Sequence, residues 1–274
     1  MRMGEKEHIA KQDAPYTRET LAQDFAALGV ATGDVILVHT AFGTVGFIAG
    51  SQQALMEGLA DAVGPAGTIV MTAQTGLSDP AEWVNPPVPE SWWDVIRKSI
   101  PAFDLASTPS RGQGLMPEYF RTLPGVVRSD HPAVSFTARG PHAKELMAGH
   151  TLKADLGDAS PLGKMVSAGA KILLIGVDYE PCTAMHLAED RAQAAPIIKC
   201  GAPMMVNGAR EWVWYEGLDG DNDDFAACGN AFEAAHPEFV RIGNIGSAES
   251  RLVEMNPLVE FAANWFTENR EVLA

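Results

Sequence analysis

At 274 residues, with 46% hydrophobic and 20% charged side chains, the chain has enough apolar surface for a sizeable core and does not read as disordered. Twenty Lys and Arg against 35 Asp and Glu leave a net charge of -15. That argues against nucleic acid, whose phosphate backbone is bound by Lys and Arg, and favours a cationic partner. No apolar run is long enough to span a bilayer, and the N-terminal "MRMGEKEHIAKQDAPY" lacks the apolar segment of a signal peptide. Three cysteines without CxxC spacing (Cys182, Cys200, Cys228) fit reduced thiols in a cytoplasmic protein.

In chain order, residues 17–30 have helical spacing of apolar residues and end at a glycine, and "DVILVHTA" is a near-continuous apolar run that reads as a buried strand. Residues 51–65 read as a helix with Ser51 as N-cap, and "GTIVMTA" as a second buried strand. Strand, loop, helix, strand at this spacing is a βαβ unit with parallel pairing. Between residues 76 and 109 the pattern weakens: prolines and tryptophans crowd positions 80–101, a stretch expected to border a site or to cover something. "MPEYFRTL", "PHAKELMAGH" and "SPLGKMVSAGA" read as short helices, "AVSFTARG" and "KILLIGVD" as strands. "TAMHLAEDRA" follows the last of these as a helix. Residues 195–219 read as a hairpin turning at Asn207-Gly208, and "LVEMNPLVEFAANWFTENR" as a C-terminal helix. With no repeat, low-complexity tract or linker, the expectation is one α/β domain over 1–274, a largely parallel central sheet flanked by helices. Nothing in the patterning selects an oligomeric state.

The glycine loop "HTAFGTVGFIAGS" joins a buried strand to a helix start, where free N–H groups favour anions. It matches neither GxGxxG nor GxxxxGK[ST], so it is either an ordinary connection or a site for the phosphates of a cofactor. "RGQGLM" is similar to the phosphate loop of Gcn5-like acetyltransferases, but Met116 occupies a position that needs a small residue, so it reads as a turn. His186 and Glu189 stand three apart on a helix, so both share one face. Three readings are open there. A catalytic zinc usually needs three protein ligands, and a second histidine is missing. A satisfied structural histidine is the second. The third is a general base, which needs a carboxylate to orient it; Glu189 and the acidic run "DGDNDD" (219–224) both supply one. Asp223 and Asp224 suit a helix N-terminus. His131, in a His-Pro turn, reads as structural.

Taken in order, "VILVHTAFGTVGFIAGS", "GTIVMTAQT", "TPSRGQGLMPEYFRTLPGVVRSDHP", "SPLGKM", "LLIGVDYEPCTAMHLAED" and "WYEGLDGDNDDF" resemble the aminoglycoside N(3)-acetyltransferase family. They span roughly residues 17–235. The resemblance implies this family's own α/β fold, distinct from the Gcn5-like one, and direct transfer of acetyl from acetyl-coenzyme A to the amine at ring position 3, without a metal. It implies that His186 is the base and Asp219 its partner carboxylate. Thr40, Ala41, Phe42, Gly43, Thr44, Val45 and Ser110 would contact the cofactor, and Glu189 and Asp221 the cationic acceptor. Position 41 is Ala where the family usually has a second hydroxyl, which removes one candidate hydrogen bond. An acetyltransferase for another small amine, and a non-catalytic binder of a cationic ligand, are the alternative readings.

Overall fold

The apolar runs become the middle of a seven-stranded sheet. The computed structural model describes residues 5–84, 86–153 and 155–270. Residues 1–4 of the N-terminal stretch read above, and Asn85 of the Trp- and Pro-rich segment, lie outside the described residues. The chain runs through α1 (Glu5–Ile9) and α2 (Arg18–Leu28). Thr17 and Thr20 form a capping box at the start of α2, and Gly29, at φ 107°, ends it. Next come β1 (Val35–Thr40), α3 (Ser51–Val63) and β2 (Thr68–Thr72), the expected βαβ unit. Gly50, not Ser51, occupies the N-cap of α3, because the chain enters in a left-handed turn at φ 95° and Ser51 itself sits at φ 52°.

Helix α4 (Trp93–Ser99) follows inside the segment whose pattern was weak, then α5 (Leu115–Phe120), β3 (Val127–Arg128), β4 (Phe136–Arg139), α6 (Ala143–Met147), α7 (Pro161–Ser167), β5 (Lys171–Ile175) and α8 (Ala184–Ala192). The hairpin β6 (Ile197–Val206) and β7 (Ala209–Leu218) turns at Asn207 and Gly208 as expected. Both turn residues have positive φ (51° and 82°), which Asn and Gly accept readily. After α9 (Phe225–Ala235) the chain makes β8 (Val240–Ile245), β9 (Ala248–Glu254) and α10 (Met255–Asn269). The C-terminal helix therefore begins three residues later than its apolar pattern suggests, since Leu252, Val253 and Glu254 pair with β5 and β8.

The sheet order is β3-β4-β2-β1-β5-β9-β8. Its centre is parallel: β1 pairs with β2 on one side and β5 on the other. Antiparallel strands extend both edges, and β6–β7 forms a separate ribbon. Helices cover both faces. Alternation along β1 sends Ile36 and Val38 into the core with α2 and α3, and Val35 and Leu37 into the core with α8 and α10. Each such side chain, nearly inaccessible to water, contributes about 1.5–3 kcal/mol of burial. The Trp- and Pro-rich segment packs on the ribbon. Arg210 Nε donates to the Ile100 carbonyl at 3.2 Å, Phe103 N to the Pro203 carbonyl at 2.9 Å, and the Arg97 guanidinium stacks 5.4 Å from the Trp214 ring. Buried Asp79 anchors the segment by accepting two bonds from Arg97, at 2.8 and 2.9 Å. Among the described residues no helix is long and apolar enough to cross a membrane.

Candidate active site

The C-terminal end of β1 opens into the glycine loop. The Ala41 amide continues the strand pairing by donating to the Ile175 carbonyl at 2.9 Å, and Phe42–Thr44 then makes one 3-10 turn closed by Thr44 N and Thr44 Oγ1 on the Ala41 carbonyl, both at 2.8 Å. Gly176, just past β5, has φ 62°, and a Cβ there would stand 1.8 Å from Thr44 Oγ1. The loop is thus held by a residue that must be glycine.

Beside this loop lies a cavity of about 340 Å³. Thr40 and His39 at the end of β1, Gln74 after β2, Gly112 and Gln113 before α5, His186 on α8, and Gly220 and Asn222 before α9 line it. It therefore sits over the carboxyl ends of the parallel strands, where open α/β sheets place their ligands. Gln113 Nε2 reaches Gln74 Oε1 at 3.2 Å and Arg111 N the Gln74 carbonyl at 2.9 Å, which fixes two walls against each other. The "RGQG" turn, whose Gly112 has φ 74°, forms part of the wall rather than an idle connection.

His186 is positioned by its own helix and by α10. Its Nδ1 donates to Glu189 Oε2 across a single turn; a carboxylate can only accept, so Nδ1 carries the proton in this pair. Glu189 is fully buried. Its other oxygen accepts from Arg270 Nη1 and from the Asp221 amide, the latter at 3.0 Å. Arg270, at the end of α10, also grips Asp224 with two nitrogens and donates to the Asp221 carbonyl at 2.7 Å. Burial acts to lower its affinity for a proton, but the carboxylates of Asp224 and Glu189 outweigh this and leave it raised. The buried carboxylate thus has a full set of donors, without which burying the charge would be costly. The backbone of Gly220 closes over the pair: a Cβ there would come within 2.6 Å of His186 Nδ1 and 2.8 Å of Glu189 Oε2. Phe225 packs against the imidazole at 4.9 Å between ring centroids.

The expected site residues divide. His186 and Thr40 line the cavity, and Ala41, Phe42, Gly43 and Thr44 lie in the adjoining loop. Val45 is turned into the protein: its side chain is fully buried in the core, its amide donates to Phe42 and its carbonyl accepts from Ser247. Ser110 points elsewhere, its amide and hydroxyl both donating to Glu118 Oε2 at 2.8 and 2.6 Å. Arg121, with Ser110, holds the Glu118 carboxyl down to about 2. Asp219 is not the carboxylate on His186. It is exposed, and its amide donates to the Pro196 carbonyl at 2.9 Å. Its charge is instead felt by Glu82, whose carboxyl is pushed up to about 7 by burial first, then by Asp79 and Asp219. The reason is a helix turn that brings Glu189 to His186 and a distant loop packed over it, in which Gly220 fills the space from which a loop carboxylate would approach. Glu189, expected to meet the acceptor, is wholly inaccessible, its oxygens turned to His186, Arg270 and the Asp221 amide. Asp221 is exposed and accepts from the Asp223 amide at 2.9 Å.

Sequence reasoning missed Gln74, which carries no motif, Gln113 and Asn222, which lie in stretches read as a turn and as an acidic run, and His39, which sits inside a strand pattern and reads as core. His131, as expected, is structural: its Nδ1 accepts from the Ala133 and Val134 amides at 3.2 and 3.1 Å, and it packs 4.9 Å from His150. Among the described residues there is no group of three or more His, Cys, Asp or Glu able to hold a metal ion.

A doubly covered sheet with an oriented histidine over the ends of its parallel strands describes an α/β enzyme. A family model described as aminoglycoside 3-N-acetyltransferase matches residues 37–267. The chain is 42% identical over 266 residues to the SPbeta prophage-derived aminoglycoside N(3')-acetyltransferase-like protein YokD of Bacillus subtilis (strain 168), covering 96% of this chain and 97% of that one. The crystal structure of YokD superposes with a TM-score of 0.93, over 96% of this chain and 98% of that one, at 41% identity. Aminoglycoside N(3)-acetyltransferase VII of Streptomyces paromomycinus is 34% identical over 280 residues, 97% of this chain and 96% of that one. The structure of AAC-IIIb as a binary complex with CoASH has a TM-score of 0.83 at 32% identity, over 95% of this chain and 100% of that one. The chain belongs to the aminoglycoside 3-N-acetyltransferase family, and so to the acyltransferases.

Proposed function

We propose that this protein transfers acetyl from acetyl-coenzyme A directly to the 3-amino group of an aminoglycoside, with His186 as general base and Glu189 as the carboxylate that orients it. The observation that carries the reading is the buried Glu189 on His186 Nδ1, in a ring that lines the cavity. With Nδ1 committed, Nε2 is the nitrogen left to take a proton. The attacking amine must lose a proton as the C–N bond forms, so the site must supply such a group, worth typically about 10²–10⁴ in rate. When Nε2 takes the proton, Glu189 stabilises the resulting imidazolium. Arg270 and the Asp221 amide keep Glu189 in place as this happens.

The residues present suit a thioester donor. Thr40 Oγ1 is buried in the cavity wall without a hydrogen-bond partner, ready to meet an incoming polar group. Thr40 and the loop Ala41–Thr44 would hold the cofactor beside His186. Acetyl-coenzyme A, when bound, supplies the acyl carbon. For the acceptor, the net charge of -15 steers a polycation toward the protein, and the exposed Asp221 offers a carboxylate for one of its ammonium groups.

The test is thiol release from acetyl-coenzyme A with a panel of aminoglycosides and simple amines. Acetylation of gentamicin-type acceptors is expected, with His186→Ala folded but slower by orders of magnitude. Release only with other amines would move the acceptor assignment. Near-normal turnover in His186→Ala would remove the base.

A further inference from the structure

His39 is the member of the cavity wall that the reaction above leaves without a task. It is the last residue but one of β1, and the strand's alternation turns it to the same face as Leu37, the face covered by α8. There it lines the cavity with His186 and feels that residue's charge. It is only 7% exposed, and its Nε2 is buried with no hydrogen-bond partner. An orphaned buried polar atom is destabilising, and native structures keep few of them, so this one calls for a ligand to complete it.

Its protonation state suits a donor. Burial first, and the neighbouring His186 second, hold the ring down to about 4, so at neutral pH it is uncharged and carries a single N–H. A neutral imidazole can polarise a carbonyl without itself losing a proton. Backbone amides of the loop after β1 are the competing donors, and three are already committed: Ala41 to Ile175, Thr44 to Ala41 and Val45 to Phe42.

Resting on the acetyl-transfer reading, we infer that His39 is a further catalytic residue, whose Nε2–H donates a hydrogen bond to the thioester carbonyl oxygen and to the oxyanion that forms there. The acceptor nitrogen, bound as the free amine with its ammonium proton left in solvent, attacks the acyl carbon, a C–N bond forms, and the carbonyl π pair moves onto the oxygen held by His39. His186 Nε2 takes the proton released from nitrogen. The oxyanion then re-forms the carbonyl, the C–S bond breaks, and the departing thiolate takes that proton from His186. His39 keeps its proton throughout.

The test uses the whole protein with the unreactive ketone analogue of acetyl-coenzyme A, in which a methylene replaces the sulfur. Bound to the wild type, its infrared carbonyl stretch is expected at lower frequency than when bound to His39→Phe. Equal frequencies overturn the assignment of His39 alone. Failure of the analogue to bind the wild type overturns the coenzyme A reading and this inference with it. His39→Phe is also expected to lose about 10²–10³ in kcat, the loss typical of one oxyanion donor, at unchanged coenzyme A affinity. His39→Gln keeps an N–H and is expected to recover part of both signals. If the Phe variant does not fold, the wild type decides: the His39 Nε2 proton resonance moves when the analogue binds, and an unmoved resonance refutes the proposal.

Discussion

Replacing Glu189 by Gln removes the charge of a carboxylate that has no solvent access and changes almost no volume. Three donors converge on it: His186 Nδ1, Arg270 Nη1 and the Asp221 amide. An amide has one oxygen and one NH₂, so it cannot accept from both sides. If the oxygen stays with Arg270 and Asp221, the NH₂ faces Nδ1 and forces the imidazole proton onto Nε2, where the base needs a lone pair. If the amide is reversed, two donors lose their acceptor. One unsatisfied buried group costs about 1–3 kcal/mol of stability. Arg270 remains paired with Asp224, which limits the damage to that range. The rate loss is larger, about 10²–10⁴ in kcat, equivalent to roughly 3–5 kcal/mol of barrier. Thiol release gives kcat, calorimetry gives coenzyme A affinity, and denaturant unfolding gives stability. Asp219→Asn, at an exposed position, is the control and is expected to keep kcat within about the range of a screened surface charge, under 1 kcal/mol. Near-normal kcat in Glu189→Gln, with a large drop in Asp219→Asn, would refute the pairing and return the role to Asp219.

Gly176→Ala places a Cβ 1.8 Å from Thr44 Oγ1 at a backbone φ of 62°; backbone strain alone costs about 1–2 kcal/mol, and the displaced loop should weaken coenzyme A binding, as calorimetry can read. Arg97→Met leaves the buried Asp79 carboxylate without its partner, so the segment 80–101 is expected to loosen by about 3–5 kcal/mol and to exchange its amides faster. Three buried histidines set an acid limit. Burial, and secondarily a neighbouring charge, holds His39 to about 4 and His131 to about 3, while in His150 burial outweighs the bond to the Asp155 carbonyl and leaves it at about 4. Their unfolded forms titrate near 6.5. Their contribution is therefore complete above that pH and is lost as pH falls from about 6.5 toward 4, where the unfolded chain binds up to three more protons. Stability should drop by up to about 4 kcal/mol per pH unit in that window, a slope that denaturant melts at successive pH values can measure. A flat profile between pH 6.5 and 4.5 would contradict the burial of these rings.

The periodic signals carried the scaffold. "VILVHT" and "TIVMT" are apolar throughout because both faces of the central strands are covered, and Asn207-Gly208 names its own turn because few other residue pairs accept positive φ twice. Elements stabilised mainly by neighbours escaped. Helix α4 hides among prolines and is held by Asp79–Arg97, and β8–β9 forms because β5 offers an open edge to Leu252 and Val253. At the site the sequence by itself determined the local facts: an H-x-x-E pair on one helical face, and a glycine loop at the end of a buried strand. Which carboxylate serves His186 was a tertiary decision. Gly220 leaves no room beside Nδ1, and Arg270, 81 residues beyond Glu189 in the chain, supplies a donor to that buried carboxylate in place of water. The same holds for His39: its place in a strand follows from alternation, but the burial of its partnerless Nε2, in a ring beside the cavity of His186, exists only once α8 has packed against the sheet. Contacts between distant segments are chosen by packing and desolvation, and a linear pattern records them only where they coincide with a helix turn or a strand repeat.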